Sequence, residues 1–171
     1  MKKLLLGALL LLSISSFGQK ICKLTDEFND KISYSVDKGI VLKESSVKAF
    51  RLDAYLKEYD GKVIFSELMV KAVGVGCVEK ESTLVIIFEN GEKASFIGWN
   101  KFNCDGNMWA SLTVKGEELL KTQKIKKLQF TNSSNYKTIT VSVNPLDESF
   151  FINLFKELEL GNLNGIKNCG K

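Results

Sequence analysis

The sequence predicts a mainly β domain, an antiparallel sandwich or partly open barrel. Three observations lead to this prediction. Apolar and polar residues alternate over short segments, Asp-Gly and Asn-Gly pairs separate some of those segments, and helical periodicity is confined to two stretches. A short helix and a C-terminal amphipathic helix complete the predicted architecture.

Residues 1–18 have the pattern of a secretory signal peptide. Two lysines open the segment, residues 4–12 form an apolar run, and small residues precede a cleavage site between Gly18 and Gln19. The apolar run is too short to stay in a bilayer as a spanning helix. We therefore expect one exported domain of residues 19–171, periplasmic or secreted, with no stable membrane span after cleavage.

The composition excludes several classes of protein. The chain is 44% hydrophobic and 26% charged, which is typical of a soluble globular domain. Its net charge of +4 falls to +2 without the two lysines of the signal peptide, so we expect no nucleic-acid binding. The absence of histidine rules out a Ser-His-Asp triad and any His-ligated metal, and we predict no cofactor and no metal site.

The strands are predicted from alternation and turn chemistry. Asp60-Gly61 and Asn90-Gly91 each separate two strand-like segments, as hairpin turns do. The apolar run 84–88 is typical of a central strand covered on both faces. We expect the strands between residues 62 and 114 to form a meander that reverses direction at each turn. The predicted strands are residues 32–36, 39–43, 50–57, 63–70, 84–88, 93–99, 108–114, 125–131 and 138–143.

Two helices are also predicted, one between strands 108–114 and 125–131 and one after strand 138–143. Residues 116–121 form one short turn, with acidic residues at its start and a lysine at its end. The C-terminal helix is expected to begin with Asn144 as N-cap and Pro145 as the first helical residue, and to end before Gly161. Its apolar face recurs every four residues, at Leu146, Phe150, Leu154 and Leu158.

Four cysteines predict two disulfides, because an even number in an exported chain is typical of a disulfide framework. The meander places the loops of Cys77 and Cys104 at the same end of the sheet, which favours a bond between them. Cys22 and Cys169 are the two cysteines left, and we expect them to pair and to join the two termini. Free thiols are the alternative. The wide spacing of the four does not fit a zinc site.

Residues 98–109 form the segment most typical of a binding site. Aromatic faces with nearby amides are what a sugar-binding surface uses. The alternative is structural: the tryptophans end neighbouring strands and pack on each other or on the disulfide, and the asparagines form turns. No catalytic residue is predicted. The candidate ligand-binding residues are Trp99, Asn100, Phe102, Asp105 and Trp109.

Other charged residues point to no chemistry of their own. The carboxylates show no spacing that selects a catalytic pair for glycoside hydrolysis. One basic cluster is interpreted as a solvated edge that discourages strand aggregation, in preference to a polyanion site. Its members are Lys121, Lys124, Lys126 and Lys127.

Several turn and strand motifs occur together in this chain. The signal sequence ends Phe17-Gly18-Gln19, and the motifs are TDEF at 25–28, LVIIFENG at 84–91, FNCDG at 102–106 and IKKLQFT at 125–131. In these features the chain resembles a group of small secreted or periplasmic β-rich proteins of Bacteroidota. The resemblance implies export and a β-rich fold. That group has no assigned activity, so no functional residue transfers.

These observations favour a non-catalytic secreted or periplasmic module that binds an envelope protein, a small ligand or a glycan. Two alternatives stay open: a lipocalin-like carrier, and a His-free, carboxylate-dependent hydrolase of envelope glycans. A ligand cavity would indicate the carrier, and a buried carboxylate pair in a cleft would indicate the hydrolase. A flat aromatic patch around Trp99 and Trp109 would indicate a binding surface.

Overall fold

The structure, a computed structural model, describes residues 21–25, 32–36, 39–45, 48–160 and 167–168. The predicted signal peptide, residues 1–18, lies outside the described residues. Over the described ranges the helices are α1 (Val114–Thr122) and α2 (Phe150–Glu159). The strands are β1 (Ile21–Thr25), β2 (Ile32–Val36), β3 (Ile40–Ser45), β4 (Lys48–Tyr59), β5 (Lys62–Ala72), β6 (Thr83–Phe88), β7 (Lys93–Ile97), β8 (Asn107–Ser111), β9 (Ile125–Thr131), β10 (Thr138–Ser142) and β11 (Lys167–Asn168).

The strands form two sheets around a common core. The first sheet has seven strands in the order β11–β1–β2–β4–β5–β8, with β3 also paired to β4. The second sheet has four strands in the order β10–β9–β6–β7. The described pairs are antiparallel except β1 with β11. A bridge between Gly98 and Ala110 joins the sheets beside β8. This arrangement confirms the predicted antiparallel β fold.

The predicted meander is wrong at the step from β5 to β6, and at the step from β7 to β8 it is reduced to the single bridge between Gly98 and Ala110. Strand β5 pairs with β4 and β8, whereas β6 pairs with β7 and β9 in the other sheet. Residues 73–82 cross from one sheet to the other. The expected cover on both faces of β6 is also wrong, because its outer side chains are only partly buried. In two packed sheets only the inner face of each needs to be buried.

The core between the sheets is filled by apolar side chains. Helix α2 extends it, because Phe151 and Phe155 lie 5.5 and 5.4 Å from the Phe65 ring, measured between centroids. Aromatic pairs at this spacing gain energy beyond the area they bury. The largest fully buried side chains include Phe50, Phe88, Phe96, Phe130 and Phe151.

Both helices are confirmed, but their boundaries differ from the prediction. Helix α2 begins six residues after Asn144, at Phe150. The Asn144 side chain instead accepts the Leu146 N–H at 3.0 Å and closes a turn, so Leu146 is 91% exposed and outside the apolar face. Helix α1 begins at Val114, predicted as strand, because the Thr113 hydroxyl accepts the Gly116 N–H and caps the helix.

The predicted Cys77–Cys104 disulfide is confirmed. The neighbouring pair, Val78 and Asn103, is joined by two backbone hydrogen bonds of 2.7 and 2.9 Å, so the two cysteine loops meet at one end of the fold. Cys22 is also disulfide-bonded, and its predicted partner Cys169 lies outside the described residues. Among the described helices, none is long and apolar enough to cross a membrane.

Candidate functional site

The loop between β7 and β8, residues 98–106, is held in shape by two asparagine side chains. Asn100 donates to the Asn107 carbonyl at 3.1 Å, and its oxygen accepts the Trp109 N–H at 2.7 Å. Asn103 donates to the same carbonyl at 2.8 Å and accepts the Asn107 N–H at 3.0 Å. These amides are satisfied within the protein, so the geometry gives Asn100 a structural role.

Trp99 and Trp109 lie side by side on the outer surface of the two sheets. The bridge between Gly98 and Ala110 places them directly opposite each other, and the Trp99 N–H donates to the Trp109 carbonyl at 3.0 Å. Side chains alternate along a strand, and Gly98 and Ala110 face inward, so both indoles project outward. Trp99 is 51% exposed and Trp109 is half-buried.

Tyr55 extends this tryptophan pair across β5. Its ring meets the Trp109 ring edge-on, with centroids 5.3 Å apart and ring planes at 86°. The two rings meet over β5, where Glu67 and Met69 are the register partners of Tyr55 and Trp109. We name Tyr55, Trp99 and Trp109 the aromatic surface. Strands β4 and β8 hold the backbones of Tyr55 and Trp109, and the hydrogen bond to the Trp109 carbonyl holds that of Trp99, so little backbone freedom remains to be lost on binding.

The remaining predicted site residues lie in the loop beyond this surface. Phe102 is 60% exposed, and Asp105 is exposed as well. Within the described residues no ring contact or ion pair joins either of them to the aromatic surface. The structure therefore brings together Trp99 and Trp109 of the predicted set. It adds Tyr55, whose outward direction follows from strand alternation but whose contact with Trp109 depends on the strand order.

Asp53 is the one acid that is buried in the described part of the chain. It lies on the outer side of β4, two residues before Tyr55 and opposite Met69, and only 5% of it is exposed. The Arg51 guanidinium donates to Oδ2, whereas Oδ1 has no hydrogen-bond partner among the described residues. Burial raises the pKa of the Asp53 carboxyl, and Arg51 opposes part of that rise.

A break in the neighbouring strand makes room for this carboxylate. Strands β2 and β3 pair with the same edge of β4, but the described pairing stops at Ser35 opposite Tyr55 and resumes at Ile40 opposite Leu52. Asp53 therefore has no register partner on this edge among the described residues. Gly39 lies against Asp53, where a Cβ would collide with Oδ1 and stand 2.6 Å from the Leu52 carbonyl oxygen. Only glycine therefore fits beside the buried acid.

The substitution Asp53→Asn is expected to stabilise the protein at neutral pH. A carboxyl whose pKa is raised in the folded state favours folding below its ordinary value, 3.8, and that contribution is lost as the pH rises through the folded value. A neutral amide avoids the cost of burying the charge. Urea unfolding should show the variant more stable than wild type at pH 7, with the difference shrinking at pH 3.

The matched control for this experiment is Asp105→Asn, because Asp105 is an exposed loop acid. It should leave the free energy of unfolding within about 0.5 kcal/mol of wild type at both pH values. If Asp53→Asn were less stable than wild type at pH 7, the ion pair with Arg51 would outweigh the burial of Asp53.

A separate cleft of about 500 Å³ lies where the start of β5 faces both helices. Its apolar wall includes Val63, Phe65 and Phe155, and Lys121 stands 5.0 Å above the Phe155 ring. Glu117 binds the Lys121 ammonium at 2.6 Å, so this charge is already paired. The cleft lies outside the space between the sheets, which the buried phenylalanines fill.

Fold and site together define a disulfide-bonded antiparallel β domain with a filled interior and a partly exposed aromatic surface. In comparisons with known proteins, no family model, no curated protein and no solved structure matches the chain.

Proposed function

We propose that this protein is an exported, non-catalytic binding module whose aromatic surface stacks against the sugar rings of a glycan. The observation that supports the proposal most is the alignment of Tyr55, Trp109 and Trp99 across neighbouring strands, with Trp99 half-exposed. Aromatic side chains offer a large apolar area from few rotatable bonds. Because the Tyr55 and Trp109 rings meet edge-on and do not form a flat patch, the half-exposed Trp99 ring offers the face on which the C–H side of a pyranose ring would stack.

Polar side chains flank the aromatic surface and suit the hydroxyl groups of a sugar. Glu67 and Ser111 are register partners in the row on one side of Trp109, and Lys71 and Asn107 are partners in the row on the other. None of these four is fully buried. Carboxylate and hydroxyl oxygens accept hydrogen bonds, and ammonium and amide groups donate them. Sugar hydroxyls would therefore find both kinds of partner beside the rings.

Export is part of the same proposal. The sequence predicts a signal peptide, and disulfides such as Cys77–Cys104 persist mainly in oxidising compartments. A periplasmic or secreted protein meets the glycans of its own envelope, or those outside the cell. The resemblance to secreted proteins of Bacteroidota supports the same location.

The two alternatives have less support. A lipocalin-like carrier needs a cavity between its sheets, where this protein packs fully buried phenylalanines. A glycan hydrolase needs two carboxyl groups on either side of the scissile bond. Asp53 is the one buried acid among the described residues, so it has no second carboxyl group beside it there. Its Oδ1 atom, which lacks a hydrogen-bond partner, lies against Gly39.

Tryptophan fluorescence tests the proposal directly. We expect one or more of cellohexaose, chitohexaose and laminarihexaose to shift the emission of the wild-type protein in a saturable titration. Trp99→Ala should weaken that binding at least tenfold, about 1.4 kcal/mol, because it removes a half-exposed ring of the aromatic surface. Isothermal titration calorimetry gives the affinity independently of the removed fluorophore.

The matched control is Tyr59→Ala, which removes an exposed ring at the far end of β4. It should bind the same hexasaccharide as tightly as wild type. Equal affinity of the Trp99 variant and wild type would contradict the proposal, and so would release of shorter sugars from the hexasaccharide during the titration.

A further inference from the structure

Strand β10 is the free edge of the four-stranded sheet. Among the described residues its only strand partner is β9. The Val143 N–H donates to the Lys126 carbonyl at 3.1 Å, and the Asn132 N–H donates to the Lys137 carbonyl at 2.9 Å. Backbone groups alternate in direction along a strand, so residues 137, 139, 141 and 143 face β9. Thr138, Thr140 and Ser142 therefore direct their N–H and C=O groups outward.

In the part of the chain that the structure describes, β10 has none of the devices that usually protect edge strands. Charged side chains, proline or a covering segment normally prevent an edge from pairing with another chain. Residues 138–142 read Thr-Ile-Thr-Val-Ser, without charge or proline and rich in β-branched residues. Thr138, Thr140 and Ser142 are exposed, and no described strand pairs with their outward backbone groups. The edge is open to an added strand.

All the charged side chains of the β9–β10 hairpin, which carries this edge, are basic. Residues 125–143 include Lys126, Lys127 and Lys137 and no Asp or Glu. These lysines are exposed, and none takes part in an ion pair among the described residues. Lys127 is the register partner of Ser142, whose short side chain lets the ammonium reach over β10 toward an added strand.

We propose that the β10 edge accepts an extended, acidic segment of a partner protein as a fifth strand of this sheet. Backbone hydrogen bonds to Thr138, Thr140 and Ser142 supply the affinity, and Lys127 and Lys137 select acidic side chains. A second copy of this chain fits less well, because pairing two β10 edges brings two acid-free, basic hairpins together. This site is independent of the aromatic surface, which lies on other strands.

The test uses a capped octapeptide of alternating Glu and Thr as the acidic probe, and one of alternating Lys and Thr as its control. In ¹⁵N-labelled full-length protein we expect the acidic peptide to shift the amide signals of Thr138, Thr140 and Ser142. The control peptide should bind at least tenfold more weakly. Equal binding of both peptides, or no shift at millimolar acidic peptide, would overturn the proposal.

A matched pair of variants then isolates the backbone contact. Thr140→Pro removes one outward N–H and no backbone bond to β9, so an edge strand tolerates it, whereas Thr140→Ala keeps the N–H. Both variants lose the hydrogen bond that the Gln129 side chain donates to the Thr140 hydroxyl at 3.2 Å, so the two differ in the backbone group. The proline variant should bind the acidic peptide at least tenfold more weakly than the alanine variant. Equal affinities would show that the edge is not the binding site.

If Thr140→Pro fails to fold, the charge contribution remains testable. The double variant Lys127→Glu, Lys137→Glu should reverse the preference between the two peptides at low salt. An unchanged preference would contradict the proposal. Sedimentation of the wild-type protein gives a further check, because a dimer lost in Thr140→Pro would assign the edge to a second copy.

Discussion

Replacing Cys77 and Cys104 together by serine is expected to lower the free energy of unfolding by about 3–4 kcal/mol. The bond closes a loop over a sequence separation of 27, and a crosslink of that span removes conformational freedom mainly from the unfolded chain. Urea unfolding of the double variant, with Cys22 left unchanged, measures the difference. The m value should rise as well, because the unfolded state becomes less compact.

The matched control is the same pair replaced by alanine, which separates loss of the crosslink from the polarity of serine. Both double variants should lose similar stability. A loss below about 1 kcal/mol in both would show that the backbone bonds of Val78 and Asn103 hold the loops together without the disulfide.

Asn132→Ala is expected to destabilise the protein by about 2–3 kcal/mol. Asn132 is fully buried, and its amide donates to the Val75 and Cys77 carbonyls at 3.0 and 2.8 Å. Its oxygen accepts the Ser134 N–H at 3.1 Å. Alanine removes these three bonds and opens a space where the 73–82 crossing meets the β9–β10 turn, although the Val75 carbonyl keeps Asn135 and the Cys77 carbonyl keeps the Ser134 hydroxyl as donors. Thermal and urea unfolding measure the loss.

Asn135→Ala is the matched control, because Asn135 also donates to the Val75 carbonyl, at 2.7 Å, but is exposed. Water replaces its hydrogen bonds, so its loss should stay below about 1 kcal/mol. If the two variants lost equal stability, the buried hydrogen bonds of Asn132 would not be what joins the 73–82 crossing to the β9–β10 turn.

The parts of the fold predicted correctly are those that local chemistry decides. Asp60 and Gly61 have φ of 51° and 70°, values that Asp-Gly tolerates and that close the β4–β5 hairpin. The bond between Cys77 and Cys104 was also predicted correctly, although the meander from which it was predicted fails between β5 and β6. The two cysteine loops still meet at one end of the fold, where Val78 pairs with Asn103.

The parts that sequence reasoning missed depend on which strands become neighbours across the fold. Nothing local to residues 63–72 shows that β8, not β6, lies beside β5, so the contact between Tyr55 and Trp109 was not predictable. Asp53 looks like any outward residue of an alternating strand. Its burial depends on Gly39, which lies against it from the start of β3, the strand before β4 in the sequence. Asn132 reads as a turn residue, although the crossing loop buries it.

The measurement that tests the glycan-binding proposal most directly is the NMR signal of the indole N–H groups. The chain has two tryptophans, so ¹⁵N-labelled protein gives two indole signals, assigned with Trp99→Phe. On titration with the hexasaccharides named above, we predict that at least one sugar shifts both signals with a single dissociation constant. Sugar binding that shifts backbone amides elsewhere and leaves both indole signals unmoved would contradict the aromatic surface as the binding site. The absence of any shift with all three sugars would contradict glycan binding itself.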